Sequence, residues 1–376
     1  MIQQPFQFGV PVDSKHFIGR EEEKKRLAAN LCNGINTILL SPRRWGKTSL
    51  VNMVSSDIAS EDITVVRMDA FSCRSEYDFY NMFSESILKQ TASRIDEWKE
   101  LAKGFIERLV PKISISPEPA SEFSVSLGIT PKTHSPEEVL NLPQIIAQRK
   151  GCRLVICIDE FQQIGEFEDS LQIQQKMRAV WQHQSDVTYC LFGSKLHMMT
   201  NFFLKKSYPF YKFGDILYLK NIPVEIWIPY IRSRFEANGK QISNGIVTDL
   251  CHTVELQSSY VQQLAWYVLL KTDTVAGEDV LKSAVEDLID QNSQVFIQQT
   301  QSLTSYQLNF LRALLAGVED GFTGMAIRET YNLGTQSNIT RLKSALIEKE
   351  IIEYTSLGLR ISDPVLRLWL LKRFFR

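Results

Sequence analysis

The sequence predicts an α/β protein built on a parallel sheet, and three observations carry that prediction. The run Thr37-Ile38-Leu39-Leu40 is apolar and β-rich, turns through residues 41–46, and restarts as an apolar helical pattern at Lys47. Leu154-Val155-Ile156-Cys157-Ile158 is a continuous apolar run that ends in Asp159-Glu160, as a strand buried on both faces would. Further short apolar runs at 63–69, 187–192 and 216–219 alternate with segments of helical periodicity.

The first of these runs has chemistry attached. Strand, then a turn closing on Gly46-Lys47-Thr48, then helix is the context of a phosphate-binding loop. Backbone N–H groups there curl around phosphates at a helix N-terminus, where the dipole favours anions. Lys47 would reach the β/γ-oxygens, and the Thr48 hydroxyl would hold Mg²⁺. The usual first glycine is Ser41 here, a residue less tolerant of a left-handed turn. The second run completes the site. Acids at the carboxyl end of a parallel strand stand where open α/β sheets bind ligands. Asp159 would order the Mg²⁺ shell and Glu160 would polarise an attacking water.

Before the loop, Phe17-Ile18-Gly19-Arg20-Glu21-Glu22-Glu23 leads into a charged helix that packs through Leu27 and Leu31. Phe17, Gly19, Arg20, Glu23 and Leu27 fit an F-x-G-R-x-x-E-x-x-x-L box. With the Ser41–Ser49 form of the loop, this resembles the prokaryotic AAA+/STAND-type "archaeal ATPase" family. The resemblance covers about residues 15 to 270. It implies that the box lines the adenine side of the pocket. The expected nucleotide contacts are then Phe17, Gly19, Arg20, Arg43, Arg44, Trp45, Gly46, Lys47, Thr48 and Ser49, with Thr48 and Asp159 on the metal. It also places Ser194, the polar end of the strand read at 187–194, at the sensor-1 position beside Glu160 and Lys47 in catalysis.

Downstream of the loop, 77–110 is mostly helical by periodicity, and 111–130 alternates at period two as a hairpin inserted at the sheet's periphery. Ser135-Pro136 is an N-cap followed by proline at N1, starting a helix to Lys150. Residues 222–270 read as three helices broken at 237–239 and 255–259, which the resemblance makes a small lid closing over ATP. The family's Gly-x-Pro before Tyr260 is absent, and no sensor-2 arginine stands nearby. Arg232 and Arg234 read as a solvated helix face. A Gln-rich helix then leads to three helices and two short strands at 351–361, a winged-helix pattern. The closing Asp363-Pro364 segment is similar to the family's D-P-x-x-x-x-W-L end, and its apolar face should pack on the winged helix.

The expected organisation is a P-loop ATPase core at 1–220, a helical lid and connector at 221–300, and a winged helix at 301–376. At 376 residues and 44% hydrophobic content the chain can bury a large core. A net charge of −1 advertises neither nucleic acid nor membrane. The six cysteines lack C-x-x-C spacing and read as buried thiols of a reducing cytoplasm, without zinc or disulfides. No signal peptide or membrane span is expected. ATP and Mg²⁺ are the expected cofactors. DNA and protein both stay open as partners of the winged helix, through Ser337, Asn338, Thr340, Arg341, Lys343, Arg360, Lys372, Arg373 and Arg376. A homo-oligomer also stays open. The competing functional reading is a slowly hydrolysing or non-hydrolysing ATP-gated binding module.

Overall fold

The computed structural model describes residues 4–92, 135–355 and 358–375. The hairpin expected at 111–130, the 93–110 part of the helix before it, Arg376 and Leu357 of the turn expected at 357–358 lie outside them. The chain divides into two compact units, one of residues 20–43 and 47–220, the other of residues 1–19, 44–46 and 221–376.

The first unit is built on five parallel strands: β1 (Thr37–Leu40), β2 (Ile63–Asp69), β3 (Arg153–Asp159), β4 (Val187–Phe192) and β5 (Asp215–Tyr218). Their order across the sheet is β2-β3-β4-β1-β5. The central strands β1 and β4 are buried at every position, which is why they are apolar runs without alternation. Helices α1 (Glu21–Cys32), α2 (Lys47–Ile58), α3 (Glu76–Thr91), α4 (Pro136–Lys150), α5 (Ser170–Trp181) and α6 (Leu196–Leu204) supply the crossovers and cover. Ser135 caps α4 by accepting from the Glu137 N–H, and Gly151 ends it in a left-handed turn. On one side the core is aromatic: Trp181 of α5 stacks on Tyr189 of β4 at 4.1 Å, with Phe83, Phe161 and Phe210 around it.

The second unit is mainly helical: α7 (Val224–Ala237), α8 (Asn244–Thr253), α9 (Ser258–Lys271), the long α10 (Glu278–Gln301), α11 (Ser305–Leu315), α12 (Met325–Thr330) and α13 (Gln336–Glu348). A two-residue parallel pair joins β6 (Gln241–Ile242) to β7 (Val275–Ala276), and β8 (Ile352–Thr355) pairs antiparallel with β9 (Gly358–Ile361). A last helix, α14 (Pro364–Trp369), closes the unit. Thr304 starts α11 with a full capping box to Gln307.

Three expectations need correcting. Cys32 is exposed, whereas Cys73, Cys157, Cys190 and Cys251 are buried. Arg234 is no solvated side chain: its guanidinium lies 3.5 Å over the Tyr230 ring and donates to the Lys15 carbonyl at 2.8 Å. The tail does not rest on the 305–361 segment alone, because Trp369 packs against Phe296 of α10. Lys372 and Arg373 bind Glu286 there, each at 2.6 Å. Among the described residues no helix is long and apolar enough to cross a membrane.

Candidate nucleotide site

Parallel pairing puts the carboxyl ends of β1, β4 and β3 on one edge, and the predicted residues follow those ends. After β1, Lys47 opens α2 and is buried to 7% exposure. Its ammonium donates to the Ser41 and Pro42 carbonyls at 2.9 and 2.8 Å and to Ser41 Oγ at 3.2 Å. The loop therefore curls around its own lysine. Ser41 is not among the residues with positive φ, so serine in place of glycine costs nothing here. The left-handed positions are Arg44 at φ 65° and Gly46 at φ 90°. A Cβ at Gly46 would meet no atom within 4 Å, so the demand for glycine is conformational, not steric.

The Thr48 hydroxyl donates to Asp159 Oδ2 at 2.8 Å, joining the start of α2 to the end of β3. The other carboxylate oxygen accepts the Glu160 N–H at 2.8 Å. Burial pushes the Asp159 pKa up to about 6, and the Glu160 and Asp69 carboxylates add to the rise, against hydrogen bonds from Thr48 and the Glu160 N–H. Thr48 and Asp159 form an all-oxygen pair, which suits Mg²⁺, an ion that keeps several waters and takes only one or two protein oxygens. Among the described residues there is no cluster of three or more His, Cys, Asp or Glu for a softer or more fully caged metal.

Glu160 takes a left-handed backbone, φ 49°, and starts a short 3₁₀ turn over Phe161–Glu166. Its Oε2 accepts Ser194 Oγ at 2.9 Å and the Ser194 N–H at 3.4 Å. Ser194 thus stands beside the proposed base. Gln162 joins it, donating its amide to the same oxygen. The reading of the sequence missed Gln162; the signal was a glutamine two residues beyond an Asp-Glu pair.

The remaining predicted residues are described within their own units. Arg20 is 3% exposed and holds the Lys220 carbonyl at 2.5 Å and Glu23 at 3.1 Å. Arg43 is exposed and Ser49 is buried in α2. Phe17, Gly19 and the tip Arg44-Trp45-Gly46 belong to the second unit. Gly19, at φ 63°, packs so closely that a Cβ would sit 2.6 Å from Ile222. The Arg44 guanidinium lies 4.7 Å over the Tyr260 ring, hydrogen-bonds its hydroxyl, and pairs with Asp363 at 3.0 Å.

The chain is similar in fold to the Walker-type ATPase of Pyrococcus abyssi, at 17% identity and a TM-score of 0.69 over 98% of this chain and 99% of that one. It is similar also to the ORC2 protein of Aeropyrum pernix in its ADPNP–ADP complexes, at 14% identity and 0.55 over 99% and 100%. The ADP form of ORC2 aligns at 14% identity and 0.51 over 94% and 93%. No family model and no curated protein matches the chain. The fold is that of a P-loop NTPase.

The raised Asp159 pKa has a stability consequence whose sign can be checked. A carboxyl whose native pKa lies above its ordinary 3.8 is protonated more readily in the folded state. The contribution of Asp159 to stability is then fully present below pH 4 and is lost as pH rises through 6. An asparagine in its place would keep the acceptor for the Glu160 N–H and offer an amide to Thr48. Asp159→Asn should therefore raise the free energy of unfolding in metal-free, nucleotide-free buffer at pH 8 by something of order 1–3 kcal/mol. Thermal scans from pH 8 down to pH 4 should show that gain shrinking.

Proposed function

We propose that the chain is a Mg²⁺-dependent ATPase that works as a nucleotide-driven switch. The Thr48–Asp159 hydrogen bond carries the reading. It joins the phosphate-loop hydroxyl to the strand-end carboxylate as a shared Mg²⁺ shell requires. The Lys47 ammonium, now on loop carbonyls, would exchange them for phosphate oxygens, and the loop amides at the start of α2 would hold the same charge. Bound Mg²⁺ would neutralise the developing charge on the phosphoryl oxygens. Glu160, fixed by Ser194, would accept the proton of the attacking water, the step for which a carboxylate in this place is suited. The AAA+/STAND resemblance supports ATP as the nucleotide and the small helical segment as a moving part. The A. pernix ORC2 structures hold ADPNP and ADP, which agrees with that choice.

A second reading keeps nucleotide binding and gives up fast turnover, leaving an ATP-gated binder. The occupied Arg234 favours it, since that arginine stacks on Tyr230 rather than standing available for a phosphate. Two variants separate the readings. Lys47→Ala should weaken ATP binding in calorimetry by roughly two orders of magnitude or more, as loss of a buried charge partner does; unchanged affinity would remove the site assignment. Glu160→Gln should hold ATP yet lose turnover by about 10²-fold or more. Equal, very slow rates in parent and variant would favour the binder.

We further propose that the 305–361 segment, read as a winged helix, faces protein rather than DNA. Its cations are largely spent at home. Arg360 binds Glu353 at 2.6 Å and Glu255 at 3.1 Å, Arg341 donates to Asn338 at 3.0 Å, and Lys343 sits 5.0 Å over the Phe322 ring. DNA contact through about three phosphates would give log K a slope near −3 against log salt, from about −0.9 per phosphate. The expected result with ATP present is weak binding, no steeper than about −1, that Arg341→Ala/Lys343→Ala leaves unchanged. A steep slope that the double variant flattens by about two would restore DNA as the partner.

A further inference from the structure

We propose that Gln162 is a positioning residue for Glu160, and that Gly193 exists to make room for it. The proposal rests on the ATPase reading above and adds a residue to its machinery. Gln162 is 2% exposed, in the 3₁₀ turn that follows β3. A carboxylate can only accept, so the amide must present its NH₂ to Glu160 Oε2, and it does. The Ser194 hydroxyl and N–H reach that same oxygen. Three donors from two elements converge on one atom. The carboxylate is thereby fixed in rotation, and Oε1 is its oxygen left over for a substrate water.

This arrangement is held at a cost. The other end of the Gln162 amide, Oε1, is buried without a protein donor, and an orphaned buried acceptor typically costs about 1–3 kcal/mol. Glu160 itself sits at φ 49°, a conformation unfavourable for a side chain with a Cβ. A Cβ on Gly193 would lie 1.7 Å from Gln162 Oε1. Gly193 has no positive φ to explain it, so its lack of a side chain serves the glutamine. An apolar residue at 162 would remove the orphan and suit the core better. The amide is retained for what its other end does to Glu160.

The test uses two variants that disturb the contact differently. Gln162→Leu deletes the donor at similar volume. Gly193→Ala removes no polar atom and displaces the amide. Both should lower kcat roughly 10- to 100-fold, the range expected when a catalytic group is misplaced by about 1 Å. ATP affinity, measured in calorimetry, should stay within about threefold of the parent, which also shows that the variants fold. The deciding measurement is made in a Glu160→Gln background. A residue that acts through Glu160 has nothing left to act on, so adding Gln162→Leu there should lower the rate no further. Parent-like kcat in both single variants overturns the proposal, as does a loss that multiplies with that of Glu160→Gln. If Glu160→Gln itself leaves turnover unchanged, the assignment of Glu160 fails first and takes the role of Gln162 with it.

Discussion

The hydrogen bond from Thr48 to Asp159 spans two strand ends that are not neighbours. In the order β3-β4-β1, strand β4 lies between the acid and the loop. Any group that follows β4 on the same edge must therefore stand between the two halves of the site. Ser194 is that group, and its hydroxyl is on Glu160. The position of a candidate sensor is thus a consequence of parallel pairing and strand order, since all three strands end on one edge. The loop supplies the other fixed point. Left-handed positions at Arg44 and Gly46 precede Lys47, the first residue of α2.

The parallel sheet was legible because burial on both faces leaves an unmistakable residue pattern. Leu154–Ile158 and Thr37–Leu40 could hardly be anything other than central strands, and the acids that follow Ile158 could be placed without coordinates. The loop lysine and threonine were legible for the same reason, since strand, turn and helix fix them locally. What the sequence did not carry was the partner of each side chain. Arg20 and Arg44 sit in motif positions that resemble nucleotide contacts, yet Arg20 is buried on a carbonyl of Lys220 and Arg44 lies on Tyr260 and Asp363. These partners lie 200 to 319 residues away along the chain, beyond the reach of periodicity or spacing. Gln162 escaped for the opposite reason. It lies two residues from Glu160, but a glutamine in a short turn reads as surface until its burial is seen.

The second unit shows how one side chain can serve two ends. Asp363 Oδ1 caps α14 by accepting the Val365 and Leu366 N–H groups at 2.9 and 3.1 Å. Its Oδ2 accepts the Tyr260 hydroxyl at 2.8 Å and pairs with Arg44. An Asp-Pro pair of this kind suits a helix start, with the acid as N-cap and the proline at N1. The cap leaves one oxygen unused, and the fold spends it on a tyrosine of α9 and an arginine of the loop. The Arg44–Asp363 pair is partly exposed, so its own contribution to stability is small. Its effect is on geometry: it holds the side chain of a residue whose backbone is already left-handed.

Strain and burial meet in one turn of the first unit. The left-handed Glu160 and the unpaired Gln162 acceptor both lie in the turn after β3. In the same turn, Phe161 is fully buried against Trp181, Phe203 and Phe210. Large aromatic rings bury about 150–250 Å² each, roughly 4–6 kcal/mol apiece at about 25 cal/mol per Å². That burial exceeds the few kcal/mol that an orphaned acceptor and one unfavourable φ require. Phe161 stands between Glu160 and Gln162 in sequence, so the anchor and the two strained residues share one turn. Their geometry is over-determined by the ring between them. A half-buried carboxylate in a short turn would otherwise sample several rotamers, and here the aromatic core supplies the rigidity that the proposed role of Glu160 would require.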